Sequence, residues 1–100
     1  MATEEQRTQE EVVRLHLTVS GRVQMVGYRY YCHEMAARLR LTGYARNMPD
    51  GSVVVEVQGE PAEVEEFAIG AALGPRLSEV TAVKRRALEP LDRESGFRKY

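Results

Sequence analysis

Residues 21–29 read GRVQMVGYR, a short stretch with a glycine at position 21, another at 27 and an arginine at 29. Main-chain N–H groups curled into a concavity offer several donors to one anion, and a helix that begins there adds the partial positive charge of its first turn. The amides in question belong to Arg22, Val23, Gln24, Met25 and Val26. Arg29 would complete such a pocket, because a planar guanidinium grips two oxygens of a tetrahedral anion and keeps its charge near neutral pH. The same residues also fit an ordinary strand-to-helix turn. A glycine-bounded loop alone does not separate the two readings.

The flanking pattern puts this loop where an anion site needs it. Val13, Leu15, Leu17 and Val19 alternate with polar partners and predict a half-buried strand before the loop. After it, Tyr28, Cys32, Met35, Ala36 and Leu39 recur at helical spacing, while Arg29, Glu34, Arg38 and Arg40 lie largely off that stripe. This predicts an amphipathic helix ending near Gly43. From Gly43 to Gly59 the chain reads GYARNMPDGSVVVEVQG, a hairpin pattern turning at Pro49, Asp50 and Gly51. Val53, Val55 and Val57 share one face of its second strand, and Val54, Glu56 and Gln58 share the other. Pro61 opens a second helix with glutamates in its first turns and an apolar stripe of Val64, Phe67, Ala68 and Ala71, and Gly74-Pro75 stops it. Ser78–Leu88 returns as a strand, and Phe97–Tyr100 is short enough to be a closing edge strand. The order strand, helix, strand, strand, helix, strand is that of the ferredoxin-like βαββαβ sandwich, an α+β fold with two helices on one face of an antiparallel sheet.

At 100 residues one domain is expected, with roughly 65% of the unfolded surface buried on folding. Residues 1–11, MATEEQRTQEE, carry four glutamates and one arginine with little to bury, so a flexible acidic tail is expected there and the domain is assigned to 12–100. Fourteen basic and fifteen acidic side chains leave a formal charge of −1, which gives no reason to expect nucleic acid or an anionic membrane as partner. Any anion binding must be local. A single cysteine, Cys32, excludes an internal disulfide framework, and no apolar run reaches the length of a membrane span. A reducing cytoplasm is the expected compartment, and a monomer the expected state.

From Val13 to its last residue the chain resembles an acylphosphatase. Gly21, Val23, Gln24, Val26 and Arg29, with Tyr28 before the arginine, match one family signature; Gly43, Tyr44, Ala45, Arg46, Asn47, Gly51, Val53 and Gly59 match the other. The resemblance implies an enzyme that hydrolyses the carboxyl-phosphate bond of small acyl phosphates by in-line attack of water. Arg29 would bind the phosphoryl group, Asn47 would orient the water, and the amides of residues 22–26 would cradle the anion. No metal and no cofactor are implied, and inorganic phosphate is the expected product or inhibitor. One departure stands out: the family usually has glycine where this chain has Met25. If that position needs positive φ, methionine costs about 1–2 kcal/mol; if it needs an ordinary conformation, the change only adds a side chain near the pocket.

The chemistry is consistent with those residue types. The conjugate acid of an expelled carboxylate has a pKa of about 4, so the leaving group needs no proton at neutral pH. What remains is to neutralise charge on phosphoryl oxygens and hold a water in line, which fixed amides, a guanidinium and a side-chain amide can do. Asparagine next to a Pro-Asp-Gly turn also commonly just satisfies local backbone groups. Arg22 and Arg46 read as surface charges that raise the potential for an incoming anion.

Other readings are weaker. Cys32 and Arg38 have the spacing of thiol phosphatases, but on a helix of about 3.6 residues per turn they lie about 120° apart and cannot close on one anion; Cys32 reads as a small core residue. His16 and His33 have no second ligand at metal spacing. Tyr28, Tyr30 and Tyr31 cluster at a helix start, whereas RNA-binding modules of this fold class display aromatics on strands. One alternative of another class stays open, a non-catalytic module that binds acyl or carbamoyl phosphate, since acylphosphatase-like domains occur within larger maturation proteins that handle carbamoyl phosphate.

Overall fold

The computed structural model describes residues 12–100, so the expectation for residues 1–11 lies outside the described residues. Five strands and two helices follow in the order β1 (Val13–Arg22), α1 (Tyr28–Leu39), β2 (Thr42–Asn47), β3 (Val53–Gly59), α2 (Pro61–Leu73), β4 (Glu79–Leu88) and β5 (Phe97–Lys99). They form one sheet in the order β4-β1-β3-β2-β5 with both helices packed on one face, the ferredoxin-like arrangement. β1 pairs antiparallel with β3 and β4, and β2 pairs antiparallel with β3. The sheet is nonetheless mixed, because β5 lies parallel to β2, with Gly43 opposite Phe97 and Ala45 opposite Lys99.

Period-2 alternation places Leu17 and Val19 of β1 and Val53, Val55 and Val57 of β3 on the helix-covered face, all fully buried. Val64, Phe67, Ala68 and Ala71 of α2 meet them, as do Tyr28, Cys32, Met35 and Ala36 of α1. The two helices are also joined by polar contacts, since the hydroxyl of Tyr28 donates to Ala71 O at 2.7 Å and that of Tyr31 to Gly70 O at 2.8 Å. Burying each large apolar side chain contributes about 1.5–3 kcal/mol, which fixes the angle at which α1 leaves the loop before it.

α1 ends at Leu39, earlier than the sequence pattern suggests, because Arg40 adopts a left-handed conformation (φ 59°) and Leu41 N–H closes the helix on Ala36 O at 2.9 Å. This turn points Leu41 into the core. Gly43, expected as the helix stop, sits inside β2.

The far face of the sheet carries a charged cluster that the sequence pattern gives no hint of. Arg14 is 2% exposed, and its guanidinium donates to Glu56 (2.9 Å), Gln58 (3.1 Å) and both carboxylate oxygens of Glu94 (2.8 and 3.1 Å). His16 Nδ1 lies 2.9 Å from Glu56. Burial works against ionised Glu56 and Glu94, but hydrogen bonds from Arg14 to both and from His16 to Glu56 prevail and hold the two carboxyls below the usual glutamate range.

Candidate active site

The site is built where β1 ends. A bulge between Ser20 and Gly21 shifts the register, so that β1 stays paired with β4 as far as Arg22 while its pairing with β3 stops at Val19. Gly21 is required there: its φ is 120°, and a Cβ would collide with the main-chain oxygen of Glu79. Beyond the bulge Val23 is buried and Val26 packs on the core, so two apolar side chains pin the loop from beneath while its backbone stays at the surface.

Two left-handed residues shape this loop. Gly27, with φ 78° and ψ 18°, is the N-cap of α1, and Met25 has φ 62°. The first of the two alternatives for Met25 therefore holds: it occupies a glycine-type conformation, with its side chain entirely in solvent. Left-handed residues within a loop curl neighbouring N–H groups toward a common side. The first turn of α1 has neither a side-chain cap nor an acidic residue, so its positive end is not neutralised locally.

Arg22 still belongs to β1, paired with Glu79, and its guanidinium donates to Leu77 O at 3.1 Å. Gln24 turns its side-chain amide outward from the loop to the hairpin, donating to Met48 O at 2.8 Å and Ser52 O at 2.9 Å. These bonds fasten the loop to the β2–β3 turn. The turn itself is closed by Asp50, whose carboxylate accepts from Ser52 N–H (2.9 Å) and Ser52 Oγ (2.6 Å), bonds that lower its pKa.

Arg29 and Asn47 face one hollow of about 280 Å³, which Val23, Met25 and Gly27 line from the loop. Tyr28 and Tyr30 of α1 and Lys99 of β5 complete its walls. Arg29 Nη1 donates to the main-chain oxygen of Tyr100 at 2.7 Å, and the Asn47 N–H donates to that same oxygen at 3.2 Å. Asn47 Oδ1 is buried and accepts no hydrogen bond from the described residues. The local-turn role open to Asn47 is taken by Asp50 instead. A buried acceptor without a donor carries a cost of about 1–3 kcal/mol, relieved when a donor such as water occupies the position beside it.

Among the described residues, no group of three His, Cys, Asp or Glu side chains is arranged to hold a metal. Cys32 is fully buried in α1, with its thiol pushed up to about 12 by burial, which removes it as a nucleophile. Arg46 lies outside the hollow, its guanidinium 5.4 Å from the Tyr44 ring centroid and 4.8 Å from that of Tyr100. Sequence reasoning missed three contributors: the Gln24 side chain, the Tyr100 main-chain oxygen and Lys99. Lys99 left a signal in its two-residue spacing from Phe97 on one strand face, and Gln24 in its place within the first signature.

Comparison with known proteins agrees with this architecture. The family model described as Acylphosphatase matches residues 15–99. An acylphosphatase of Clostridium perfringens (strain SM101 / Type A) is 39% identical over 89 residues, covering 89% of this chain and 100% of that one. One from Moorella thermoacetica is 46% identical over 87 residues, covering 87% of this chain and 92% of its own. The solved structure of an acylphosphatase from Coxiella burnetii superposes with a TM-score of 0.88 at 29% identity, over 94% of this chain and 98% of that one. No helix among the described residues is long and apolar enough to cross a membrane. Fold, motif order and relatives agree, and the chain belongs to the acylphosphatase family of enzymes.

Proposed function

We propose that this enzyme hydrolyses the carboxyl-phosphate bond of small acyl phosphates in the hollow between the loop of residues 22–27 and Asn47, by in-line attack of water and without a metal. The observation that carries the reading is the pairing of Arg29 with the unbonded, buried Oδ1 of Asn47 in one hollow.

In this mechanism the phosphoryl group lies against the loop amides and the first turn of α1, with the Arg29 guanidinium on its equatorial oxygens. Asn47 Oδ1 accepts a hydrogen bond from the attacking water and aims its lone pair at phosphorus. The water oxygen bonds to phosphorus as the bond from phosphorus to the acyl oxygen breaks, and the electron pair leaves on the carboxylate. The water's proton passes to a phosphoryl oxygen and stays on the phosphate product. Because carboxylate is a good leaving group at neutral pH, positioning and charge neutralisation suffice, and no general acid is needed.

The deciding measurement follows benzoyl phosphate and acetyl phosphate with release of inorganic phosphate, with and without a chelator. Turnover that is insensitive to chelator and competitively inhibited by phosphate is expected. Binding of acetyl phosphate without phosphate release would overturn hydrolysis and assign a metabolite-binding module instead.

A further inference from the structure

We propose that Lys99 is a specificity-determining residue, a second anion-reading position in the same hollow, which makes the enzyme favour acyl phosphates with another anionic group at the far end of the acyl chain. This rests on the hydrolytic reading above.

The placement follows from strand geometry. β5 runs parallel to β2 with Gly43 opposite Phe97 and Ala45 opposite Lys99, so Phe97 and Lys99 both project to the helix-covered face. Phe97 is buried there, its ring 6.0 Å from that of Phe67. Two residues on, the core gives out and Lys99 reaches the hollow rather than a packed interior.

Among the described residues Lys99 makes no ion pair with a carboxylate. Its Nζ sits 5.5 Å from the ring centroid of Tyr30, a contact that steers the ammonium to the mouth of the hollow without neutralising it. The neighbouring residue, Tyr100, holds Arg29 through its main-chain oxygen. Lys99, the last residue of β5, and Tyr100 just after it thus meet adjacent positions of α1, one contact restraining Arg29 and the other placing Lys99.

A substrate whose phosphoryl group is taken by the loop and Arg29 must extend its acyl chain through the rest of the hollow. Exposed Met25 and Tyr30 offer apolar surface to its carbons. Lys99 stands as the cation left over for a distal carboxylate. A neutral acyl chain gains nothing from it beyond the general attraction of any anion. The Lys99 side chain is exposed, so the discrimination is modest and salt-sensitive.

The test compares kcat/KM for succinyl phosphate with that for butyryl phosphate, its uncharged counterpart in length, in wild type, Lys99→Arg, Lys99→Met and Lys99→Glu. The succinyl-to-butyryl ratio is expected to fall roughly 3- to 5-fold in Lys99→Met and about tenfold or more in Lys99→Glu, chiefly through KM, and to be retained in Lys99→Arg. The wild-type preference should shrink as salt rises to about 0.5 M. An unchanged ratio with equal losses on both substrates would make Lys99 a mere support for Arg29 and overturn the proposal alone. Failure of the wild type to turn over either substrate overturns this inference together with the hydrolytic reading.

Discussion

Arg29 and Asn47, eighteen positions apart on a helix and a strand, donate to one atom: the main-chain oxygen of Tyr100 accepts Arg29 Nη1 at 2.7 Å and the Asn47 N–H at 3.2 Å. Tyr100 is itself held to β2, its N–H donating to Ala45 O at 2.8 Å. The guanidinium and the carboxamide are thereby fixed relative to each other by a strand paired beside β2, and no direct contact between them is needed. A guanidinium with several donors can spend one on this anchor and still present others to a phosphoryl group.

Arg29→Ala removes the only side-chain cation that α1 contributes to the hollow. Turnover of benzoyl phosphate should fall roughly 10³-fold or more, with inhibition by free phosphate weakened in parallel. Arg29→Lys should recover little, since an ammonium cannot hold the Tyr100 oxygen and the substrate in one planar arrangement. Steady-state kinetics with phosphate as inhibitor decide it. Near-normal turnover in Arg29→Ala would remove Arg29 from the mechanism.

For Asn47 the expectation is a loss confined mainly to kcat, on the order of 10²- to 10³-fold in Asn47→Ala, with phosphate inhibition close to wild type. The separation follows from its proposed role, which concerns the water and not the bound anion. Its main-chain bond to Tyr100 survives the substitution, so Arg29 stays anchored. A large rise in the inhibition constant for phosphate would show that Asn47 grips the anion instead.

Much of this site can be read from residue order because it is local: the loop glycines, Arg29 and the start of α1 lie within nine positions of one another. The helix stripes and the alternation of Val53, Val55 and Val57 were equally legible, since burial enforces periodicity. What escaped depends on long-range pairing. That β5 lies parallel to β2 is set by the path of residues 89–96, and with it come the Tyr100 anchor and the position of Lys99. Arg14 escaped for a related reason. An arginine on the polar phase of a strand looks solvent-facing until Glu56 and Glu94 are brought over it. The end of α1 was misread because Arg40 does what glycine usually does at that position.

Met25→Gly tests the strain in the loop. A non-glycine residue in the left-handed region costs about 1–2 kcal/mol, while glycine adds about 0.5–1 kcal/mol of unfolded-chain entropy to be overcome. The methionine side chain is fully exposed, so no burial is lost. A net stabilisation of about 0.5–1 kcal/mol, or roughly 2–8 °C in Tm, is expected for Met25→Gly and none for Met25→Ala, which keeps the strained geometry. A lower Tm in the glycine variant would mean that Met25 makes a stabilising contact in solution.

Arg14→Met should be the most damaging single change outside the core. It leaves Glu56 and Glu94, each less than a fifth exposed, without their main cation. Breaking a buried ion pair from one side costs about 3–5 kcal/mol, which for a domain of this size lowers Tm by roughly 12 °C or more. The difference from wild type should depend on pH in a defined direction. Both carboxyls titrate below their usual range in the folded protein, so their contribution is present above the ordinary glutamate pKa of about 4.3 and disappears as pH falls through their depressed folded values. Thermal melts of the two proteins between pH 7 and pH 3 should therefore converge at the acid end. A constant Tm gap across that range would assign the loss to packing of the Arg14 stem and not to its charge.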